Sequence, residues 1–532
     1  MLRNSKKILS LLIVSSLIGT IFSGCKKAVT DTKPAAEVTT ASYPLKTDVT
    51  LKYWFAAGAG VLNLVKNYGD TEIAKELTKK TGIKVEWLAP VVGQEKEQLN
   101  LMIASSDLPD IIEWNWAGDF PGGPEKAIND GIFIKLNDVI DKYAPNLKKK
   151  YTDHPEWLKA AKTDSGTLYS FPFFRGDPYL QVFRGIVVRQ DWLEDLKLPV
   201  PETIDDWTTT LKAFKDNKGS TAPLTFATTA YMESAFLGAY GISSGIYVDN
   251  GKVKYGNIDP AFKDYLTQLR KWYTDGLLDK NVGSVDDKTQ DANMTSSKSG
   301  VTIGNVGGGI GKWQPVLQTN DPKGKLGPAP YAVLKKGDKP EFGQYDQAYT
   351  GPSAAITKSC KNVEIAARFM DYGYSNEGEI LYNFGIEGVS YNMVNNYPTY
   401  TDLIMKNPDK LSPAAIMPKY IRGNSNGSFV QRKEYMEQYA ALPQQKDAIK
   451  TWMNTNASKH VIPKISYTSQ ESSEIATITN QINTYTSEMN LKFIMGVESL
   501  DNFDKYVSQL KKLGIDRYIQ INQDALDRYN KR

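Results

Sequence analysis

Few residues in this 532-residue chain can do covalent or metal chemistry. Its two histidines, His154 and His460, lie far apart, and its two cysteines are Cys25 and Cys360. A zinc site or a Ser-His-Asp triad needs more imidazole or thiolate than this. Both histidines therefore read as structural, and no metal ligand set is assigned. The glycines Gly307, Gly308, Gly309 and Gly311 in "GNVGGGIGKW" follow a strand, as a phosphate loop does. Their spacing misses G-x-G-x-x-G, and Trp313 stands after Gly311-Lys312 where a P-loop carries Ser or Thr. No nucleotide or other cofactor is expected. The cluster instead marks backbone that needs unusual φ or close approach, at a hinge or a ligand. Aromatic surface is what the chain has in quantity, with 30 Tyr, 18 Phe and 10 Trp. Trp114 and Trp116 flank Asn115, with Asp119 just behind, and Trp313 follows the glycines. Flat rings beside Asn, Asp and Arg suit a sugar, whose C–H faces pack on rings while its hydroxyls take charge-assisted hydrogen bonds. A single tryptophan in a strand is more often core, so the signal lies in the set. In "NFGIEGVSY", Glu387 sits between two glycines. As a general acid it needs a partner carboxylate at a fixed separation; the alternatives are a tight-turn role and a ligand contact.

Cys25 has its own context. Arg3, Lys6 and Lys7 precede an uncharged, mostly apolar run from Ile8 to Phe22, followed by Ser23 and Gly24. A basic start, an apolar core and small residues at the end make a secretory signal peptide. The run is shorter than the roughly 20 residues of a spanning helix. A cysteine directly after Ser-Gly resembles the bacterial lipobox, with Phe22 in place of the usual Leu, so residues 1–24 read as signal peptide and Cys25 as a lipidated N-terminus. Several acyl chains on one residue hold a protein at a membrane, where a single chain binds only marginally. Residues 26–46, rich in Ala, Thr, Lys and Pro, form a tether. Without residues 1–24 the balance is 61 Lys+Arg against 60 Asp+Glu. That near-neutrality and the lack of a basic patch exclude nucleic acid as a partner.

These residues need a frame. "VTLKYWF" from Val49 reads as a strand, "TEIAKELTKKTG" as a helix ending at Gly82, and "IKVEWLAP" as the next strand. "EKEQLNLMIAS" is a second helix and "LPDIIEWNW" a third strand. Strand–helix–strand–helix–strand argues for an α/β layer with a parallel sheet. Ligands sit beyond the carboxyl ends of such strands, where Trp54, Trp87, Trp114 and Trp116 fall. Further on, "RGIVVRQDWLEDL" is a strand entering a helix, and Thr203 with Asp206 forms a capping-box pattern. "SGVTIGN" and "TGPSAAITKS" read as strands, "NVEIAARFMDYGYS" as a helix, and the chain from about Ser466 as largely helical.

Taken together, the cysteine motif, "SSDLPDII", "IVVRQDWLEDLKLPVPETIDDW", "VTIGNVGGGIGKW", "NFGIEGVSY" and the tail "FIMGVESLDNFDKYVSQLKKLGIDRYIQINQDALDRY" resemble the extracellular solute-binding proteins of family 1. The likeness is to the long lipoproteins that serve carbohydrate ABC transporters in Gram-positive bacteria. It implies a two-lobe, periplasmic-binding-protein-like (type 2) α/β fold with a hinge and an interlobe ligand cleft. The lobes expected are 47–172 plus 301–353, and 173–300 plus 354–532. The function implied is a non-catalytic receptor, a monomer on the outer face of the cell membrane that hands an oligosaccharide to permease subunits. The alternatives are a surface-anchored carbohydrate-active enzyme and a binding protein for a peptide or other non-sugar solute. The resemblance points Trp54, Arg175, Trp313, Glu387 and Tyr391 into the cleft, followed by Trp114, Trp116 and Tyr349. Many relatives carry an acidic, EF-hand-like loop after the "VPET" helix. Here "FKDNKGSTAPLTF" offers only Asp216 as an acidic ligand, too few oxygens for calcium.

Overall fold

Strand formation begins at "TLKYW", where alternate residues face in and Leu51 and Tyr53 are buried. In the computed structural model, which describes residues 42–227, 234–422 and 427–532, this is the first of thirteen strands. They are β1 (Thr50–Trp54), β2 (Lys84–Leu88), β3 (Ile111–Trp114), β4 (Phe171–Arg175), β5 (Arg184–Arg189), β6 (Ile246–Asp249), β7 (Lys252–Tyr255), β8 (Val301–Asn305), β9 (Leu326–Ala329), β10 (Tyr349–Ile356), β11 (Tyr391–Val394), β12 (Tyr397–Tyr400) and β13 (Val430–Gln431). The expected signal peptide, Cys25 and most of the expected tether lie outside the described residues.

The expected βαβαβ unit is present. β1 pairs in parallel with both β2 and β3. The helix between β1 and β2, Glu72–Thr81, starts at Thr71, whose Oγ1 accepts from the Ala74 amide at 3.2 Å. It stops at Gly82 with φ 74°, where a Cβ would lie 2.2 Å from the Leu45 carbonyl oxygen. Left-handed backbone and close approach both demand glycine there. β10 inserts antiparallel between β3 and β4, and β13 closes the edge, giving the order β13-β4-β10-β3-β1-β2. Ile73, Leu77, Phe173, Ala366 and Phe369 form the core on this sheet.

A second sheet has β5 in the centre, antiparallel to both β8 and β9. Here the expected lobe boundary needs correcting. Residues 301–329 do not return to the first sheet; β8 and β9 flank β5. The chain goes back only at β10, and residues 354–382 stay in the first core. Every residue of β9, and all but the last of β8, is buried, so their burial pattern carried no label for which sheet they join. Trp207, Leu211, Leu269 and Trp272 fill the second core, together with the C-terminal helices Ser469–Met495, Phe503–Lys512 and Ile515–Asn530. The capping box predicted at Thr203 is formed: its Oγ1 accepts from the Asp206 amide at 3.1 Å, and Asp206 accepts from the Thr203 amide at 3.0 Å. Those hydrogen bonds hold the Asp206 carboxyl below its ordinary range.

Two buried polar contacts fix the first lobe. Arg422 donates to Glu113 at 2.6 Å, each side chain being 3% exposed, and its guanidinium lies 4.3 Å from the Phe55 ring centroid. Asp371 caps the helix Pro145–Asp153 by accepting from the amides of Asn146 (3.2 Å) and Leu147 (2.8 Å). Breaking a buried pair strands a charge, so Arg422→Met should lower the unfolding free energy by about 3–5 kcal/mol. Adding Glu113→Gln should recover part of that loss in a urea titration. Burial pushes the Asp371 carboxyl up to about 6, against the pull of its hydrogen bonds. Between that value and the unfolded value near 4, the folded chain holds a proton that the unfolded chain has lost. Stability contributed at this site should therefore rise as pH falls from about 6 to about 4, and Asp371→Asn should flatten that slope.

Candidate functional site

β4 leaves the first sheet at Arg175, whose amide donates to the Ala348 carbonyl at 2.8 Å. The chain returns through residues 344–348, so the outgoing and incoming strands meet at this residue. Its guanidinium donates from Nη2 to Asp346 Oδ2 at 3.1 Å and lies 5.1 Å from the Phe183 ring centroid. Asp346 is held in turn: its amide donates to the Gln181 carbonyl at 2.8 Å, and Gln344 Nε2 donates to its Oδ1 at 3.1 Å. Gln344 also accepts from the Phe183 amide at 2.8 Å. Burial pulls the Arg175 pKa down and Asp346 opposes that pull. Arg175 Nε is buried with no hydrogen-bond partner.

Three cavities open around this hub. One of about 190 Å³ is lined by Arg175, Phe183, Asn305, Gly307, Gly308 and Tyr439. A second, about 530 Å³, shares Phe183 and adds Arg184, Ser243, Tyr331, Gln344 and Asp346. The third, also about 530 Å³, shares Arg175 and includes Trp157, Gln181, Tyr345 and Tyr349. Arg175 and Phe183 thus connect all three, and in the smallest a first-sheet residue, Arg175, meets Asn305 of the second sheet.

The glycine cluster forms the second-sheet wall. Residues Val306–Gly311 make a π-helical turn that runs into the helix Lys312–Asn320. Pro315 lies inside that helix and cannot donate to the carbonyl four residues back, at Gly311. The wide turn ends at that residue, consistent with relief of the clash. A Cβ on Gly304 would lie 2.7 Å from the Trp313 ring, and one on Gly307 2.3 Å from the Tyr439 hydroxyl. The glycines let large rings pack against the backbone.

Among the expected site residues, Arg175 and Tyr349 line cavities. The Tyr349 side chain itself is buried, its hydroxyl paired with Tyr169 at 2.9 Å. Trp54, Trp116 and Trp313 do not face the cleft in this structure. Trp116 is fully buried against Phe120 and Phe133, and Trp54 belongs to the same small core. Trp313 is 3% exposed and donates to Asp291 at 2.5 Å. Tyr391 is buried against Phe384 in the second core, and Glu387 is exposed on its loop. Trp114 is half-buried, 6.1 Å from Trp54, with its indole N–H lacking an acceptor. Residues that sequence reasoning missed are Phe183, Asn305, Gln344, Asp346 and Tyr439. The polar–aromatic run "GQYDQAY" was the available signal for two of them.

The histidines pack as rings, His154 on Trp157 at 3.9 Å and His460 on Phe342 at 4.4 Å. Among the described residues no group of three or more His, Cys, Asp or Glu could hold a metal ion. No described helix is long and apolar enough to cross a membrane.

Two sheets with a lined space between them define a two-lobe binding protein, and the comparisons with known proteins agree. The chain belongs to the bacterial extracellular solute-binding protein family, whose model matches residues 63–380. It is 25% identical over 98% of its length to the fructooligosaccharide ABC transporter substrate-binding protein FusA of Streptococcus pneumoniae, covering 97% of that protein. It is 26% identical to the polygalacturonan/rhamnogalacturonan-binding protein YtcQ of Bacillus subtilis, over 60% of this chain and 64% of that one. The alginate-binding protein AlgQ2, solved without calcium ion, superposes with a TM-score of 0.74 at 26% identity over 92% of this chain and all of its own. FusA in complex with kestose gives 0.72 at 24% identity, covering 91% of this chain and 100% of that one.

The corrected placements separate core from site. Trp116→Ala and Trp313→Ala should each cost about 3–5 kcal/mol of stability, read by denaturant titration. Phe183→Ala, at a half-buried ring facing two cavities, should cost under about 1 kcal/mol, as expected where little packing is lost.

Proposed function

We propose that this protein is a non-catalytic receptor that captures an oligosaccharide between its lobes and delivers it to the permease of an ABC transporter. The observation that carries this reading is the set of connected cavities around Arg175 and Phe183. A guanidinium paired to a carboxylate offers donors and acceptors to sugar hydroxyls, and the neighbouring ring offers a face to sugar C–H groups. The match to FusA over nearly the whole of both chains supports a sugar as the solute. On this reading the lobes are residues 42–176, 349–383, 422 and 427–431 on one side and the remaining described residues on the other. Closure around ligand is then a hinge motion at the connections beside Arg175 and Asp346. The pattern at Cys25 supports lipid anchoring on the outer face of the cell membrane, with the protein acting there as a monomer. Peptide binding and carbohydrate hydrolysis gain no support from the relatives.

A thermal-shift screen of the full chain against oligosaccharides tests this. A cognate sugar at about 100 times its dissociation constant should add roughly 2.7 kcal/mol of stability and be recovered intact. Stabilisation by peptides alone, or breakdown of the bound sugar, would overturn the proposal.

A further inference from the structure

Most of the chain's crossings between the lobes gather at the ends of the neighbouring strands β4, β10 and β13. There the Arg175 amide donates to the Ala348 carbonyl at 2.8 Å, and the Gly176 amide to the Gln431 carbonyl at 3.0 Å. A tie of another kind lies apart from them. The helix Ile515–Asn530 belongs to the second lobe, where Gln523 Oε1 accepts from the Val253 amide at 2.8 Å. Its last turn and the residues just after it reach the first lobe. Arg528 Nε donates to Asp164 Oδ2 at 2.7 Å. Arg532 donates to Asp164 Oδ1 from Nε at 2.9 Å and from Nη2 at 2.6 Å. Arg532 Nη1 also donates to the carbonyls of Lys159, at 3.2 Å, and of Lys162. Asp164 stands in the turn closed by the Lys162–Leu168 bridge, just before β4. The cavity lined by Arg175 and Tyr349 is lined by Tyr529 too, so open space separates the crossings from this contact.

We infer that Arg528, Arg532 and Asp164 form a clasp that ties the lobes together in the empty protein and restricts how they turn on one another; the inference rests on the lobe assignment above. Crossings gathered at one edge permit both a swing and a twist of one lobe on the other. An attachment away from that edge leaves free only the rotation about the line that joins the two. The clasp is built to hold. Both oxygens of Asp164 are taken, and Glu471 steadies Arg528 from the second lobe, accepting from Nη1 at 2.9 Å and from Nη2 at 2.6 Å. The Arg532 side chain is 5% exposed, so parting the surfaces strands a nearly buried guanidinium. The half-exposed Arg528 pair contributes less. None of the three residues lines the cavities around Arg175. They are positioning residues, acting on the space between the lobes through the orientation of its walls. A receptor already confined to few orientations loses less freedom when it closes on a ligand.

Spin labels test this without a ligand. Glu156 of the first lobe and Asp527 of the second are exposed near the clasp, and Cys360 is buried. The full chain with Cys25→Ser, Glu156→Cys and Asp527→Cys therefore takes a label on each lobe, and pulsed dipolar spectroscopy should return one narrow distance distribution. Asp164→Ala cuts the clasp from the first lobe, and the double change Arg528→Gln with Arg532→Gln cuts it from the second. Each should broaden the distribution about two-fold or more, and combining them should add little, because both remove the same contact. A second pair within the first lobe, Asn100→Cys with Glu156→Cys, should keep its width throughout. An unchanged width between the lobes in the arginine variant would overturn the inference. So would broadening there with no change in Asp164→Ala, since the arginines would then act within their own lobe. Should Asp164→Ala broaden the pair inside the first lobe, that lobe is itself disturbed, and the arginine variant, which leaves its sequence intact, decides. No sugar is added, so either result leaves the receptor reading where it stood.

Discussion

Arg175 is held by both halves of the molecule, and the geometry of the space between them follows from that. Its amide is tied to the returning strand at Ala348, and its guanidinium to Asp346 and the face of Phe183. Asp346 is positioned by Gln181 and Gln344, so the outgoing and incoming connections brace each other through one ion pair. A charge buried this deeply is stable only with such partners. Moving either connection moves the guanidinium, and moving the guanidinium redraws the cavities it joins.

The second lobe presents backbone where the first presents a side chain. Gly304 lies over Trp313, and Gly307 beneath the Tyr439 hydroxyl. Close packing of rings against glycine leaves the first turn of the helix uncovered at Gly308, facing open space. Much of the chain's aromatic mass has gone into the cores: Trp116, Trp207, Trp272 and Trp452 are all fully buried. What reaches the cavities is a smaller set of half-buried rings, Phe183 and Tyr439 among them. The family membership and the likeness to FusA and AlgQ2 fit a molecule organised in this way.

The first βαβαβ unit could be read from the sequence because its signals are local. Gly82, Thr203 and Asp206 each act within one helix turn, and each does what its position implied. Sheet membership is not local. β8 and β9 are buried on nearly all positions, so nothing in their pattern distinguishes one sheet from the other. Of the residues expected at the site, Arg175 and, at the edge of a cavity, Tyr349 line the candidate cavities. Trp54 and Trp116 do lie at strand ends, but the loop carrying Phe120 and the segment at Phe133 cover them. Tryptophan is informative about buried area before it is informative about ligands. Asn305 has no distinguishing type or spacing, and the run around Gln344 and Asp346 does not say what it meets; their places come from the meeting of segments far apart in the chain.

The first sheet has a further property that concerns time. β10 fills the place between β3 and β4, and β13 closes the edge of β4. When β4 has been made, it has no neighbour to pair with until residue 349 arrives, and the sheet is unfinished until residue 431. Such long-range pairing is slow by nature, because loop closure must precede the contacts that reward it. A ribosome therefore releases most of this polypeptide before its first lobe can lock. The strand order therefore makes the first sheet one of the last parts of the molecule that can be completed, although its first three strands are made early.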